Sequence, residues 1–364
     1  MKQVPIGLDI GKSSIVGVQL GGRPPAVGLL GVHDRSIPEG LVFEGEVVDP
    51  DGLAAELRAF HKESAFKGKV VRLGVGNQKV IVRTIDVPEM DEQELRGAIE
   101  FQAQDYIPMP IEEVVIDFQV VGRSTDEDGT VRQHVVLVAA QRDMIQRFLY
   151  AARKAGLRVD GIDVAAFALL RALGPSVSFL DQGSGPAEAV GYLYVTSSTS
   201  TVVVAANDIP KFTRIVSFAY DNFVNVLVEH EGIPGQDALM LSQRIGLEGP
   251  QEASTEDYTA STVSEVRTAL GRVAEQFAEE MRRSFDFYRS QEYAAPLSRV
   301  VLAGRGPLLR NLDHYLSEFL NVPVEVGNPL LKIGVNRTKM TDDMLAALAP
   351  RMSVAVGLSL DEAE

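Results

Sequence analysis

The 364-residue chain has no cysteine and no tryptophan. The lack of cysteine excludes disulfides, thiolate metal sites and a thiol nucleophile, and it fits a reducing compartment. No apolar run reaches the about 18 residues that a membrane-spanning helix needs. The N-terminus, MKQVPIGLDIGKS, breaks its one apolar run with Pro5 and Asp9 and so does not read as a signal peptide. The C-terminus, GLSLDEAE, is acidic and lacks a basic amphipathic helix, which argues against a membrane anchor. Positive charge is in deficit: 35 Lys and Arg face 50 Asp and Glu, a formal net charge of -15. Nucleic acid and anionic lipid both need a positive face, so neither is expected as a main partner. Histidine is scarce too. His33, His61, His134, His230 and His314 are scattered, and no two have metal-ligand spacing.

What is present is ordinary in bulk. Hydrophobic residues make up 45% and charged residues 23%, as in a typical globular protein, and the length suits two domains with a large core. The informative part is a strand-turn-strand signature that occurs twice, half the chain apart. Residues 7–20 read GLDIGKSSIVGVQL and residues 192–205 read YLYVTSSTSTVVVA, with Leu8 superposing on Leu193. In the first copy Asp9 ends an apolar strand, Gly11 allows a tight turn, and Ser13 and Ser14 open the next strand. In the second copy Tyr194 stands where Asp9 stood and Thr196 where Gly11 stood.

Around these hairpins the apolar spacing predicts two α/β halves, 1–174 and 190–364, with a cleft between them. Strands are expected near 3–10, 14–20, 26–36, 69–75 and 79–87, and a helix near 50–62. A distinct unit follows, with a helix capped by Asp91 and strands near 114–121 and 134–140. Helix 143–155, capped by Asp143, then strand 157–163 and helix 164–173 complete the first half. Residues 174–189, rich in Gly, Pro and Ser, read as a linker, and the run RSTDEDGT at 123–130 as a turn. The second half repeats the order, with a polar loop at 248–263 and a long helix over 264–290. A strand then ends at Gly304-Arg305-Gly306, a helix carrying Leu308, Leu309 and Leu312 follows, and a helical region holding Ala346 and Leu348 closes the chain.

Two turns have the chemistry of a nucleotide site. A turn holding Gly11 exposes backbone N–H groups to phosphate, Lys12 adds charge, and Ser13 and Ser14 add hydroxyls. Asp9 at the strand end can hold Mg²⁺ through water. Gly304 and Gly306 after a buried strand can let a flat base approach the backbone. The same residues also suit plain turns, and composition alone leaves both readings open.

The chain resembles the type IV pilus assembly protein PilM family of the actin-like ATPase superfamily over nearly its whole length. The resemblance is carried by GLDIGKSSIVGVQL at 7–20 and EGEVVDPDGLAAELRAF at 44–60, and above all by VIVRTIDVPEMDEQELRGAIEFQAQDYIPMPIEEVVIDFQVV at 80–121. It continues in VAAQRDMIQRFLYAARKAGLRVDGIDVAAFALLRAL at 138–173, EEMRRSFDFYRSQ at 279–291, VVLAGRGPLLRNL at 300–312 and AVGLSL at 355–360.

That resemblance implies a duplicated, ribonuclease H-like actin fold with an FtsA-type extra subdomain, mapped to about 86–163. It implies a cytoplasmic adaptor at the inner face of the membrane. Such an adaptor holds the N-terminal peptide of a PilN-like membrane protein and serves the pilus alignment complex and motor ATPases. It also implies ATP with Mg²⁺ in the cleft, at Asp9, Gly11, Lys12, Ser13, Ser14, Gly304 and Gly306. The sequence departs from that pattern in four places. Lys12 replaces a small residue, Tyr194-Val195-Thr196 replaces the second phosphate loop, Arg305 interrupts the adenosine glycines, and Ala238-Leu239-Met240-Leu241-Ser242 lacks the Glu and Lys of an AExxK helix. Each lost contact costs about 1.5–3 kcal/mol. Three or four would move micromolar binding to millimolar. The expectation is an adaptor with little or no ATP hydrolysis. A nucleotide-switched ATPase and an FtsA-like filament former are the competing readings.

Overall fold

The computed structural model describes residues 4–22, 27–125, 129–174, 188–207, 209–252, 255–291 and 294–360. The bulk of the expected linker and the middle of the 123–130 turn lie outside the described residues. In chain order the first half contains β1 (Ile6–Ile10), β2 (Ser14–Gly21), β3 (Gly28–Ser36), the short hairpin β4 (Val42–Phe43) and β5 (Glu46–Val47), α1 (Pro50–Glu63), β6 (Val70–Val75), β7 (Val80–Pro88), α2 (Glu92–Tyr106), β8 (Val114–Thr125), β9 (Val131–Gln141), α3 (Arg142–Lys154), β10 (Arg158–Val164) and α4 (Ala165–Leu173). The second contains β11 (Ala189–Val195), β12 (Ser200–Ala206), β13 (Ile209–Val216), α5 (Tyr220–Glu231), α6 (Gly235–Ile245), α7 (Ala260–Arg289), β14 (Leu297–Gly304), α8 (Leu312–Leu320), β15 (Val324–Val326), β16 (Val335–Asn336), α9 (Asp342–Leu348) and α10 (Ser353–Ser359).

The duplication is visible in the pairing. The first sheet runs β10-β6-β1-β2-β3-β16 and the second β13-β12-β11-β14-β15. In each, the first strand pairs antiparallel with the second and parallel with the fourth, so β1 and β11 are equivalent. Leu8 sits opposite Gly17 and Leu193 opposite Val202, the same register in both copies. These strands are apolar on both faces because helices cover both sides of each sheet. Tyr192, Val203 and Ala303 join the core of the first half, while Leu193, Val202 and Leu302 face α7.

Helix starts follow from local chemistry. Asp49 and Asp91 cap α1 and α2 through their carboxylates. Asp143 does not cap α3 as expected. Gln141 occupies the cap without a side-chain bond, and Asp143 lies inside the first turn, where its charge favours the helix N-terminus. Helix α7 starts at Ala260, earlier than the expected 264, because the Thr259 hydroxyl accepts from the Thr262 N–H. Its fully buried stripe begins only at Val266, so apolar spacing marks the start late. The expected helix over Leu308–Leu312 is two elements, divided by Asn311 at φ 66°.

Two domain expectations need correction. The inserted unit is a three-stranded sheet, β7-β9-β8, covered by α2, spanning 80–141 rather than 86–163. Helix α3 packs in the first-half core and β10 pairs with β6, so both belong to the main lobe. The C-terminal segment does not stay in the second half. β16 pairs with β3, and Leu345, Met352, Ala355 and Val356 form a cluster with Val16, Val18 and Leu20. Gly357 permits this return: a Cβ there would lie 1.7 Å from the Ala168 carbonyl oxygen on α4. No helix among the described residues is long and apolar enough to cross a membrane.

Candidate functional site between the lobes

The tips of the two equivalent hairpins meet at the floor of the cleft. Each tip closes with the same backbone bond. Gly11 N donates to Ser14 O at 2.9 Å, and Thr196 N donates to Thr199 O at 2.9 Å. Thr196 therefore makes the turn that Gly11 was expected to be needed for. A Cβ on Gly11 would meet only Ser14 O, at 3.6 Å.

Side chains then join the lobes. The Tyr194 hydroxyl donates to the Asp9 carboxylate, two residues 185 positions apart that hold the same place in the repeat. The Ser13 and Ser197 hydroxyls are 2.7 Å apart. Lys12 Nζ donates to Asp221 Oδ2 at 2.6 Å, where Asp221 lies in the first turn of α5. Arg305 Nη2 donates to Ser14 Oγ at 3.4 Å. Behind them Arg351 pairs with Asp34 at 2.5 Å.

The electrostatics follow from enclosure. Burial pushes the Asp9 carboxyl up to about 6, against the smaller opposing effect of the Tyr194 hydrogen bond. Burial, and then the Asp9 charge, push Tyr194 well above its ordinary value. Burial and the like charge of Arg351 lower Arg305.

Asp9, Gly11, Lys12, Ser14 and Gly304 line the remaining cavity together with Tyr194. Ser13 is turned to Ser197. Gly306 does not line the cavity; a Cβ on it would press on Leu302 and Val195. Gly304 has φ +78°, and a Cβ there would lie 2.2 Å from the Val195 carbonyl oxygen. The close approach these glycines allow is to the second hairpin. Arg305 N, in the same turn, donates to Val195 O at 2.6 Å. Ser242, in the helix that departs from the AExxK pattern, faces the buried Tyr220 hydroxyl at 3.2 Å.

The cavity measures about 60 Å³. Small-molecule sites are commonly about 300–1,000 Å³. The Tyr194 side chain and three cross-lobe contacts occupy the place between the hairpin tips. Among the described residues no group of three or more His, Asp or Glu could hold a metal ion. Asp9 stands at the strand end as expected, with its carboxylate engaged by Tyr194. Reading the sequence did not find Asp34, Ser197, Asp221 or Arg351. Tyr194 carried a signal, as the residue out of place in the second copy, and so did Arg305, as the residue between two glycines.

Two lobes on duplicated five-strand motifs, with paired hairpins facing across a cleft and a C-terminal helix crossing back, define an actin-like protein. Solved structures agree on this fold. An ethanolamine utilization protein EutJ from Carboxydothermus hydrogenoformans is 13% identical with a TM-score of 0.55, covering 98% of this chain and 88% of its own. MreB5 of Spiroplasma citri bound to ADP is 9% identical with a TM-score of 0.54, covering 97% and 94%. A family model described as type IV pilus assembly protein PilM matches residues 7–363, and the chain belongs to that family. A structure described as the PilM-PilN type IV pilus biogenesis complex is 27% identical with a TM-score of 0.80, covering 98% of this chain and 97% of that one.

Proposed function

We propose that this protein is an adaptor of the type IV pilus assembly machinery. It holds the N-terminal cytoplasmic segment of a PilN-like membrane protein and does not turn over nucleotide. The observation that carries the reading is its likeness, over almost the full chain, to a PilM-PilN complex. The inserted sheet supplies a receiving edge. β8 is 12 residues long, pairs among the described residues with β9 alone, and exposes Val115 and Val120. An extended peptide can add to such an edge through backbone hydrogen bonds, with side-chain pockets setting specificity. The net charge of -15 favours a short apolar segment with basic residues. Through that partner the protein sits at the cytoplasmic face of the membrane and serves the alignment complex and the motor ATPases. The small cavity and the Asp9–Tyr194 bond support an adaptor over an ATPase.

Calorimetric titration with a synthetic peptide of the PilN-like N-terminus is expected to show saturable binding, weakened by Val115→Asp and Val120→Asp. Absence of binding to the full chain would overturn the adaptor reading. Titration with ATP and Mg²⁺ is expected to give no micromolar signal, and a Mg²⁺-dependent micromolar affinity with phosphate release would restore the ATPase.

A further inference from the structure

The contacts across the cleft do more than crowd out a ligand, because three side chains of the first hairpin tip that could face a phosphate or its metal already have a protein partner from the other lobe. Lys12 is taken by Asp221, Ser13 by Ser197, and Asp9 by Tyr194. The Lys12 and Asp221 side chains are only 24% and 28% exposed, so their pairing is partly shielded from water. The chain thus supplies both signs of charge at the joint. Nothing anionic is needed between the lobes to neutralise Lys12.

The mouth of the cleft is tied as well. β7, one of the two edge strands of the inserted sheet, lies against β13, one of the two edge strands of the second sheet. Thr84 Oγ1 donates to Pro210 O at 3.2 Å, and Gln78 Nε2 donates to Ser217 Oγ at 3.1 Å. The lobes are therefore joined at the floor through the hairpin tips and on one flank through the inserted unit, which is the unit assigned above to the partner peptide.

We propose that the interlobe cleft is a self-latched joint, in which Lys12–Asp221, Asp9–Tyr194 and Ser13–Ser197 hold the lobes closed where a nucleotide would otherwise bridge them. This deepens the nucleotide-independent reading above and rests on it. A chain that rests closed presents the inserted sheet in one orientation at all times. A partner then binds without first selecting a minor conformer, and no fraction of its affinity is lost to that selection.

The absence of native cysteine makes a direct test clean. In a Ser13→Cys/Ser197→Cys variant of the full chain, side chains whose oxygens lie 2.7 Å apart are within reach of disulfide geometry. In nucleotide-free buffer with a mild oxidant, essentially complete intramolecular crosslinking is expected, at a rate unchanged by ATP and Mg²⁺. Adding Lys12→Ala and Asp221→Ala is expected to slow crosslinking by up to about fivefold as the open population grows. Both residues lie at the surface of the cleft, so this variant tests the latch without emptying the core. Small-angle scattering on the chain with native Ser13 and Ser197 is expected to show the closed radius, and a larger one for Lys12→Ala/Asp221→Ala.

Crosslinking that requires ATP and Mg²⁺, or that proceeds equally fast without the ion pair, would overturn the latch. An open cleft in a chain that still fails to bind ATP would sink the latch alone. A closed cleft whose crosslinking rate ignores an ATP that does bind would sink the nucleotide reading alone.

Discussion

The two hairpin tips share a backbone and differ in what they do with it. Gly11 and Thr196 close the same turn with the same 2.9 Å bond, and their strands keep the same register. The difference lies in side chains. The first tip presents a carboxylate, an ammonium and two hydroxyls. The second presents Tyr194, a residue only 5% exposed whose hydroxyl reaches back to Asp9. A duplicated scaffold can therefore keep the geometry of a ligand clamp while one substitution turns the clamp on its own twin. Turn geometry is tolerant of sequence; what a turn faces is not.

The strongest way to break this comparison is to remove Tyr194. Tyr194→Ala empties a buried aromatic site and strips Asp9 of its donor. It is expected to cost about 4 kcal/mol in denaturant unfolding. The cavity it leaves should also be the one place where added ATP and Mg²⁺ could raise the melting temperature.

Two glycines lining the cleft, Gly11 in the first tip and Gly304 at the end of β14, provide the next contrast. Gly304→Ala forces a Cβ onto the Val195 carbonyl at a positive φ and is expected to lose about 3 kcal/mol. Gly11→Ala has room and is expected to stay within about 0.5 kcal/mol. Equal losses would mean that the β14 turn is not packed against the second hairpin as closely as the Gly304–Val195 approach implies.

Asp9 sharpens the comparison through pH. Its folded value of about 6 lies above the ordinary 3.8, so the folded state keeps a proton that the unfolded chain releases. This contribution to stability is fully present below 3.8 and is lost as pH rises through about 6. By pH 7 Asp9 weighs against folding by up to about 3 kcal/mol. Asp9→Asn keeps an acceptor for Tyr194 without the charge. The difference in stability between variant and wild type is therefore expected to grow in the variant's favour from pH 4 to pH 7, as read by urea melts across that range. A pH-independent difference would show that Asp9 is not enclosed.

The smallest effect is at the ion pair. A double-mutant cycle on Lys12 and Asp221 is expected to return a coupling of about 1 kcal/mol that shrinks with added salt. No coupling would leave Tyr194 as the chief tie between the tips.

Much of the architecture was legible from residue order. The paired hairpins, the caps at Asp91 and the strand-helix alternation all rest on neighbours in sequence. The misreadings have two causes. The early start of α7 depends on a threonine cap ahead of its buried stripe. The narrower inserted unit depends on which sheet β10 joins, and the return of β16 and α10 to the first lobe depends on a fit between Gly357 and Ala168. The cap is local but lies outside the apolar stripe, and neither of the other two is a pattern within one segment.

The residue order by itself determined the two hairpins, the substitution of Tyr194 for a carboxylate and the kinship with PilM. Strand alternation and turn chemistry act over a few residues and survive wherever the segment is placed. Only the tertiary structure decided that Lys12 would meet Asp221, 209 residues away, and that Tyr194 would close on Asp9. Such contacts are set by how the lobes dock, a balance of packing and desolvation over the whole molecule that no local stretch encodes.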